Sequence, residues 1–309
     1  MTTRFDAIDL GALAAPDIIE NIDYETLLSD RKAKALSLFT AAGILPDWDP
    51  SLESDPIVKL LEESAFRETI LRQRVNDTAR ACMIATATDA DLDNIAARYH
   101  VTRQMIEAGD PTAIPPTAPV METDVSLRGR ILLAFEALSV AGPVGAYRYH
   151  ALSSHPLVYD VDIDSPTPGS VVISVMTSTA TGIPDQAVLD NVMATLANDD
   201  VRPLTDQVTV KAASSIKYAF VAILTVYGGP DAEIVRNAAN DSLTAFVAQQ
   251  KRLGEPVTLD GLHKASRVDG VQKAVIYQSD GETPFAEITP NTDQFPLCIA
   301  FDVQVGDRS

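Results

Sequence analysis

Cysteine and histidine are scarce in this 309-residue chain, which holds 2 and 4 of them. Cys82 and Cys298 are too few for a disulfide framework, and we expect both to be buried small hydrophobic residues in a reducing cytoplasm. No two histidines stand in an H-x-x-x-H or H-E-x-x-H spacing, so the sequence does not support a zinc site. The sequence therefore gives no support to a fold stabilised by disulfides or zinc.

Long apolar runs are also missing. No segment approaches the roughly 20 consecutive apolar residues that a membrane-spanning helix needs. Near the N-terminus, Asp6 and Asp9 interrupt the stretch that would form the apolar core of a secretion signal. We therefore expect a protein that stays in the cytoplasm and has no membrane partner.

Basic residues are few, since 24 Lys and Arg side chains stand against 43 Asp and Glu, for a net charge of −19. Binding to a phosphate backbone depends on clustered Lys and Arg, so we expect no nucleic-acid partner. The acidic surplus is explained by solubility, or by partners that present basic surfaces.

Motifs that carry chemistry are absent as well. The Ser-Ser-His run at 153–155 lacks the G-x-S-x-G elbow of a hydrolase. Asp160, Asp162 and Asp164 alternate along a predicted strand, where they could hold a cation or line a solvated strand face. We predict no catalytic residue, no cofactor and no metal site.

The stretch at 87–103 tests this expectation, because alternating aspartates at 89–93 are typical of a calcium loop. Such a loop needs Gly at its sixth position and Glu at its twelfth. Asn94 and His100 occupy these positions, so the stretch does not match a calcium-binding loop. Thr88 is placed to cap a helix whose apolar residues recur at helical spacing, and we predict a helix there.

Hydrophobic residues make up 46% and charged residues 22% of the chain, which predicts a globular protein; its pattern of helices and strands is α+β. The first predicted region, 1–103, is helical, and its longest helix, at about 56–87, would be about 45 Å long. One apolar flank of this helix carries Leu60, Leu61, Leu71 and Val75. A flank of this length needs neighbours, either other chains of a bundle or later regions of this chain.

Three further regions follow. The proline-rich stretch 104–123 is an extended connector or arm, or else a solvated loop. Regions 124–213 and 214–309 are predicted to be two small α+β domains, built from similar helix and strand units in a shifted order.

The last region contains the apolar strand at 217–227, with Phe220, Ile223 and Val226. Its composition predicts a strand covered on both faces. We expect residues 214–309 to form a two-fold pair, because homo-oligomer contacts are most often of that kind. The predicted helices 231–253 and 258–267 are the candidate contact surfaces.

The segment "DADLDNIAARYHVTR" resembles the L-D-x-L-A-x-x-x-G-V-x-R signature of the baseplate J-like family. The matching residues are Leu92, Asp93, Ala96, Val101 and Arg103. His100 stands where the signature has Gly, so the turn after the helix is expected to differ. Further segments of the chain resemble the family in the same order: "SLESDPIVKLLEESAFRETILRQRVNDTARA", "SLRGRILLAFEALSVAGPVGAYRYHALS" and "DDVRPLTD".

This resemblance implies a structural wedge component of the baseplate in a contractile phage tail, an R-type pyocin or another bacteriocin of contractile-injection type. The implied partners are a second copy of the chain, a tail protein I-like wedge protein, the lysozyme-like sheath-proximal wedge protein, the hub and spike, and neighbouring wedges. The long helix would belong to a bundle of several chains, and the C-terminal domains, with Phe220, Ile223 and Val226, would pair into a ring. The alternative function is a tail-associated cell-wall hydrolase that uses carboxylates such as Glu62, Glu63 or Asp160.

Overall fold

The computed structural model describes residues 10, 13–14, 16–228 and 231–306; the ends of the first and last predicted regions, 1–9 and 307–309, lie outside the described residues. The chain folds into two compact units. The helical unit lies within Asp6–Arg103 and the α+β unit within Gln104–Ser309. Helices come first and mixed sheets follow, which confirms the predicted α+β class.

Among its described residues, the helical unit contains three α-helices: α1, Tyr24–Ala42; α2, Pro56–Ala81; and α3, Asp89–Ala97. The Asp23 side chain caps α1 by accepting from two backbone N–H groups. The Asp55 side chain caps α2, whose first residue is a proline with no N–H to satisfy. These local signals explain why the helix starts could be read from the sequence.

Helix α2 has 26 residues, so it is about 39 Å long and ends several residues before the predicted boundary at 87. The Thr86 hydroxyl donates to the Arg80 carbonyl at 2.7 Å, and the chain turns away there. Cys82 follows the helix and is exposed, so the prediction that both cysteines are buried is wrong. Cys298 is partly buried.

The α+β unit begins with a short antiparallel ribbon and two helices, in the order β1, Met105–Glu107; β2, Val120–Met121; α4, Asp124–Leu133; and α5, Val144–Ser154. The ribbon lies inside the stretch predicted as a connector. A 3-10 turn at Glu136–Leu138 follows the end of α4 at Leu133.

The first sheet has three strands and a crossover helix: β3, Val158–Asp164; β4, Ser170–Thr177; α6, Gln186–Leu196; and β5, Gln207–Ala212. Strand β4 lies in the centre, antiparallel to β3 and parallel to β5. Helices α5 and α6 contribute Tyr147, Val192 and Leu196 to its core, which also contains Ile173.

The second sheet repeats this plan with β6, Ser214–Val226; α7, Ala232–Gln250; α8, Leu259–Ser266; β7, Val271–Gln278; and β8, Gln294–Val305. Its central strand β6 is antiparallel to β7 and parallel to β8. Only Ala213 separates β5 from β6, and its N–H donates to the Val175 carbonyl at 2.9 Å. A buried cluster of Met176, Ala213, Leu253 and Phe295 joins residues of the two sheets.

Candidate assembly surfaces

The aspartate-rich stretch folds into a helix and a tight turn. Leu92 and Ala96 are fully buried, and Val101 is almost so. Arg103 donates from Nε to Asp93 Oδ1 at 2.7 Å, and this pair ties the turn to the helix. Each matching residue of the signature therefore has a structural task, and none of them is placed for chemistry.

The sequence raised two questions about the ends of α3: whether Thr88 caps its start, and how His100 fits the turn after its end. Thr88 occupies the N-cap position, but its side chain makes no capping hydrogen bond, so the predicted cap is wrong. At the other end, His100 has φ of 58°, the left-handed conformation that glycine adopts without strain. The N–H of Val101 still reaches the Ala96 carbonyl at 3.1 Å. His100 thus takes the left-handed backbone conformation usual for glycine at the price of backbone strain.

Helix α2 carries the apolar flank predicted from the sequence, and most of that flank faces solvent. Leu60 is 69%, Leu71 64% and Val75 56% exposed. Leu61 is half-buried, because it lies towards the side of the helix that contains buried Ala65. The stripe of Leu60, Leu71 and Val75, called here the α2 stripe, is therefore not covered by the described residues of the helical unit.

The side of α2 that is covered within the helical unit is held largely by polar contacts. Arg31 of α1 forms an ion pair with Glu68, and hydrogen bonds from Arg31 and then Arg72 hold the pKa of Glu68 below its usual range. Asn76 is 3% exposed. Its side chain donates to the Glu20 carbonyl at 2.9 Å and accepts from the Glu20 N–H at 3.1 Å. These contacts fix α1 and the segment at Glu20 against α2. The apolar side chains of the α2 stripe stay exposed.

The apolar strand β6 alternates between a buried and a half-exposed face. Phe220 and Val226 are buried, and Phe220 packs in the core formed with Leu243 of α7 and Leu262 of α8. Ile223 lies on the other face and is half-exposed. The prediction that this strand is covered on both faces is therefore wrong for the chain by itself.

The half-exposed face of the second sheet, called here the open face, is apolar along its centre. Val221 pairs with Tyr277 of β7, and Ile223 pairs with Val275. All four side chains are half-exposed. Helices α7 and α8 cover the opposite face, so the sheet itself, which was not among the candidate contact surfaces, presents a half-exposed apolar surface.

Asp160 is buried, which corrects both sequence-based interpretations of the aspartates at 160–164 for this residue. Its Oδ1 accepts from Arg148 at 2.6 Å, and its Oδ2 accepts from the N–H of Leu253 at 3.1 Å. A β-bulge between Val158 and Asp160 shifts the register of the strand there. Asp160 thus joins α5, the first sheet and the segment after α7.

Each carboxylate of the hydrolase alternative is held in an ion pair. Glu62 pairs with Lys59 at 2.9 Å and Glu63 pairs with Arg67, both on the surface of α2. Asp160 is buried against Arg148 in the other unit. Over the described residues, no group of three or more His, Cys, Asp or Glu side chains could hold a metal ion. In the same residues, no helix has the length and apolarity to span a bilayer.

Comparisons with known proteins extend over nearly all of the chain. The family model of the baseplate J-like N-terminal domain matches residues 53–110, and that of the central domain matches residues 139–212. Baseplate protein J of Escherichia phage P2 is 43% identical over 305 residues, which cover 97% of this chain and 98% of that protein. The chain belongs to the baseplate J-like family. A baseplate J-like chain is a baseplate component.

One solved structure with a similar chain is the cryo-EM structure of the anti-feeding prophage baseplate, 6-fold symmetrised. The similarity covers 59% of this baseplate J-like chain and 44% of that chain, at 16% identity and a TM-score of 0.40. It spans less than half of the length of that chain.

The two matched ranges contain the polar pairs described above. The N-terminal range contains Asp93 and Arg103, and the central range contains Arg148 and Asp160. Sequence reasoning missed the buried role of Asn76, although a signal exists. Asn76 follows buried Ala65 by 11 residues, a helical repeat, so a polar residue falls on the covered side of the baseplate J-like helix α2.

Proposed function

We propose that this chain is a structural wedge component of a contractile tail or tail-like bacteriocin. It assembles in the bacterial cytoplasm with a second copy of itself and a tail protein I-like partner, around the hub and spike. Its long helix joins a bundle that also meets the lysozyme-like wedge protein, and rearranged wedge contacts relay the contraction trigger. Family membership and the α2 stripe support this proposal.

The α2 stripe is the observation that carries the proposal. Leu60, Leu71 and Val75 expose more than half of their surface. Full burial of one such side chain contributes about 1.5–3 kcal/mol. Helices from other chains would recover this free energy, and a helix of about 39 Å is long enough for bundle packing.

A charge placed in the stripe tests the bundle. Leu71→Asp should leave the isolated chain folded, because Leu71 is 64% exposed there. In the assembled bundle the same unpaired charge would be buried, at a cost of several kcal/mol. We expect the variant to lose co-purification with the tail protein I-like partner, as deletion of residues 1–90 should.

The matched control is Gln73→Asp, which adds the same charge at an exposed position of the same helix. It should co-purify like the unchanged chain. Undiminished co-purification of Leu71→Asp, or of the chain without residues 1–90, would show that the stripe is not the bundle contact.

We further propose that the two-fold pairing of residues 214–309 uses the open face. Ile223 lies at its centre, whereas Phe220 and Val226 are buried in the core of the same chain. In a two-fold contact the same surface of each copy meets the other. Ile223 would then lie close to the open face of the second copy.

Crosslinking in assembled tails tests this pairing. A bifunctional thiol reagent should link two copies that carry Ile223→Cys, in a Cys82→Ser background because Cys82 is exposed. Leu224→Cys, the fully buried neighbour on the other face, is the control and should give no link. If Ile223→Cys also gives no linked pair while the tails assemble, the open face is not the two-fold contact.

A further inference from the structure

The loop between β1 and β2, residues 108–119 and called here the arm, presents an apolar tip. Ile114 is 100% exposed, so its side chain has no contact with the rest of the chain. The residues on either side, Pro111, Thr112 and those from Pro115 to Pro119, are exposed as well. The arm therefore projects from the α+β unit with an isoleucine at its end.

The arm has internal structure despite this exposure. The N–H of Thr117 donates to the Asp110 carbonyl at 3.0 Å, and the N–H of Asp110 donates to Thr117 Oγ1 at 2.9 Å. Asp110 Oδ1 also accepts from the N–H of Thr112 at 2.8 Å. A Cβ on Gly109 would lie 2.5 Å from the Thr117 carbonyl oxygen, so the two legs of the arm touch there.

The base of the arm is fixed to the α+β unit by a buried ion pair. Arg130 of α4 donates to Glu122 at 2.7 Å, and both side chains are at most 5% exposed. The N–H of Gln104 donates to the same carboxylate at 3.1 Å, and its side chain donates to the Ser153 carbonyl at 2.8 Å. Both legs of the arm therefore start from ordered, buried anchors.

This arrangement suits insertion into another protein. Ordering a backbone costs conformational entropy, and a fully exposed isoleucine recovers none of it within this chain. A preorganised loop avoids that cost when it binds, so it gains affinity from a single apolar anchor. The exposed tip and the anchored base are the two features that such an insertion needs.

The charges of the arm define the chemistry of its partner. Residues 104–123 contain no Lys or Arg, and Glu107 and Asp110 are exposed. A second copy of this chain is a poor partner for an acidic arm, since the chain has a net charge of −19. A socket that is apolar inside and basic at its rim complements both the tip and its acidic flank.

We propose that the arm inserts Ile114 into an apolar socket rimmed by Lys or Arg on a different protein subunit of the baseplate. This inference rests on the proposed function, because it needs the chain to be part of an assembled baseplate. The arm would then fix the α+β unit to a neighbouring subunit at a site separate from the α2 stripe and the open face.

Photo-crosslinking from position 114 tests the inference. The full-length chain, with benzoylphenylalanine in place of Ile114, is assembled into tails and irradiated, and the linked peptide is identified by mass spectrometry. We expect a link to a different protein, at an apolar site with Lys or Arg beside it. Assembled tails with no link, or with a link to a second copy of the chain or to an acidic site, would overturn the inference.

Two variants separate this inference from the proposed function. Ile114→Ala should weaken retention of the socket subunit about tenfold, which corresponds to about 1.4 kcal/mol. Leu204→Ala changes another aliphatic side chain that is 92% exposed, and should leave retention unchanged. Equal losses in both variants would overturn the inference, whereas absence of the unmodified chain from the tails would remove the proposed function and this inference together.

Discussion

The two units of the chain differ in how many side chains of their longest helix or strand are buried. Helix α2 has 26 residues and buries three of them, Val58, Ala65 and Asn76. Strand β6 has 13 residues and buries every second residue from Tyr218 to Val226. The central strand of the α+β unit therefore buries one full face within its own unit, whereas α2 leaves most of its apolar flank exposed.

The ion pairs show the same contrast. In the helical unit, Arg72 and Glu20 are 44% and 55% exposed, so their attraction is screened by solvent and contributes little. In the α+β unit, Arg148 and Asp160 are 15% and 5% exposed. A buried pair is strongly destabilising when one partner is removed. The α+β unit therefore contains charged pairs on which its stability depends, whereas the ion pair of Arg72 with Glu20 in the helical unit lies at the surface.

The largest expected loss of stability comes from removing the Asp160 carboxylate, which joins α5, the first sheet and the segment after α7 in the α+β unit. Asp160→Ala would leave the Arg148 guanidinium buried without its carboxylate and free the N–H of Leu253. We expect the free energy of unfolding to fall by about 3–5 kcal/mol in urea titrations of the full-length chain. Amide exchange should rise in both sheets.

The control for this variant is Asp164→Ala, at the exposed end of the same strand. It should change stability by less than about 0.5 kcal/mol. An equal loss in α2 amide protection after Asp160→Ala would break the comparison, because it would show that the two units unfold together.

A smaller effect is expected in the helical unit. Asn76→Ala removes both hydrogen bonds to the backbone of Glu20, at a cost of about 1–2 kcal/mol. Limited proteolysis should then cut within residues 16–23 much faster than in the unchanged chain. Gln73→Ala, on the exposed side of the same helix, should leave the cleavage rate unchanged. Similar rates for all three proteins would mean that Asn76 does not hold this segment.

The sequence predicted most helices and strands of the fold because these elements are long enough to show a periodic pattern of apolar residues. The ribbon of β1 and β2 was missed because strands of 3 and 2 residues are too short to show any period. The sequence of β6 is apolar along most of its length and so predicted burial on both faces, whereas the packing of α7 and α8 covers only the face of Phe220. Asp160 was misjudged because the bulge before it is a property of strand pairing.

The turn after α3 offers a gain in stability. His100 has φ of 58°, a conformation that costs a residue with a Cβ about 1–2 kcal/mol. His100→Gly should therefore raise the free energy of unfolding of the helical unit by up to about 1 kcal/mol after the entropy of glycine is included, and the melting temperature should rise with it. Ala90→Gly, in the exposed first turn of α3, should lower it. A decrease in both variants would show that the left-handed turn carries no strain.

The smallest effect concerns Asp162, which lies two residues from Asp160 on the same strand. Burial raises the pKa of Asp162 above its ordinary value of 3.8, and a hydrogen bond from Thr292 offsets part of this. A carboxyl group with a raised folded-state pKa destabilises the fold above that pKa, and this penalty disappears as the pH falls below the unfolded-state value. Asp162→Asn should therefore stabilise the chain at pH 7, by less than about 1 kcal/mol because the group is half-exposed to solvent. Urea titrations at several pH values should show this gain shrinking towards pH 4. A gain that stays constant with pH would assign the effect to packing rather than to the charge.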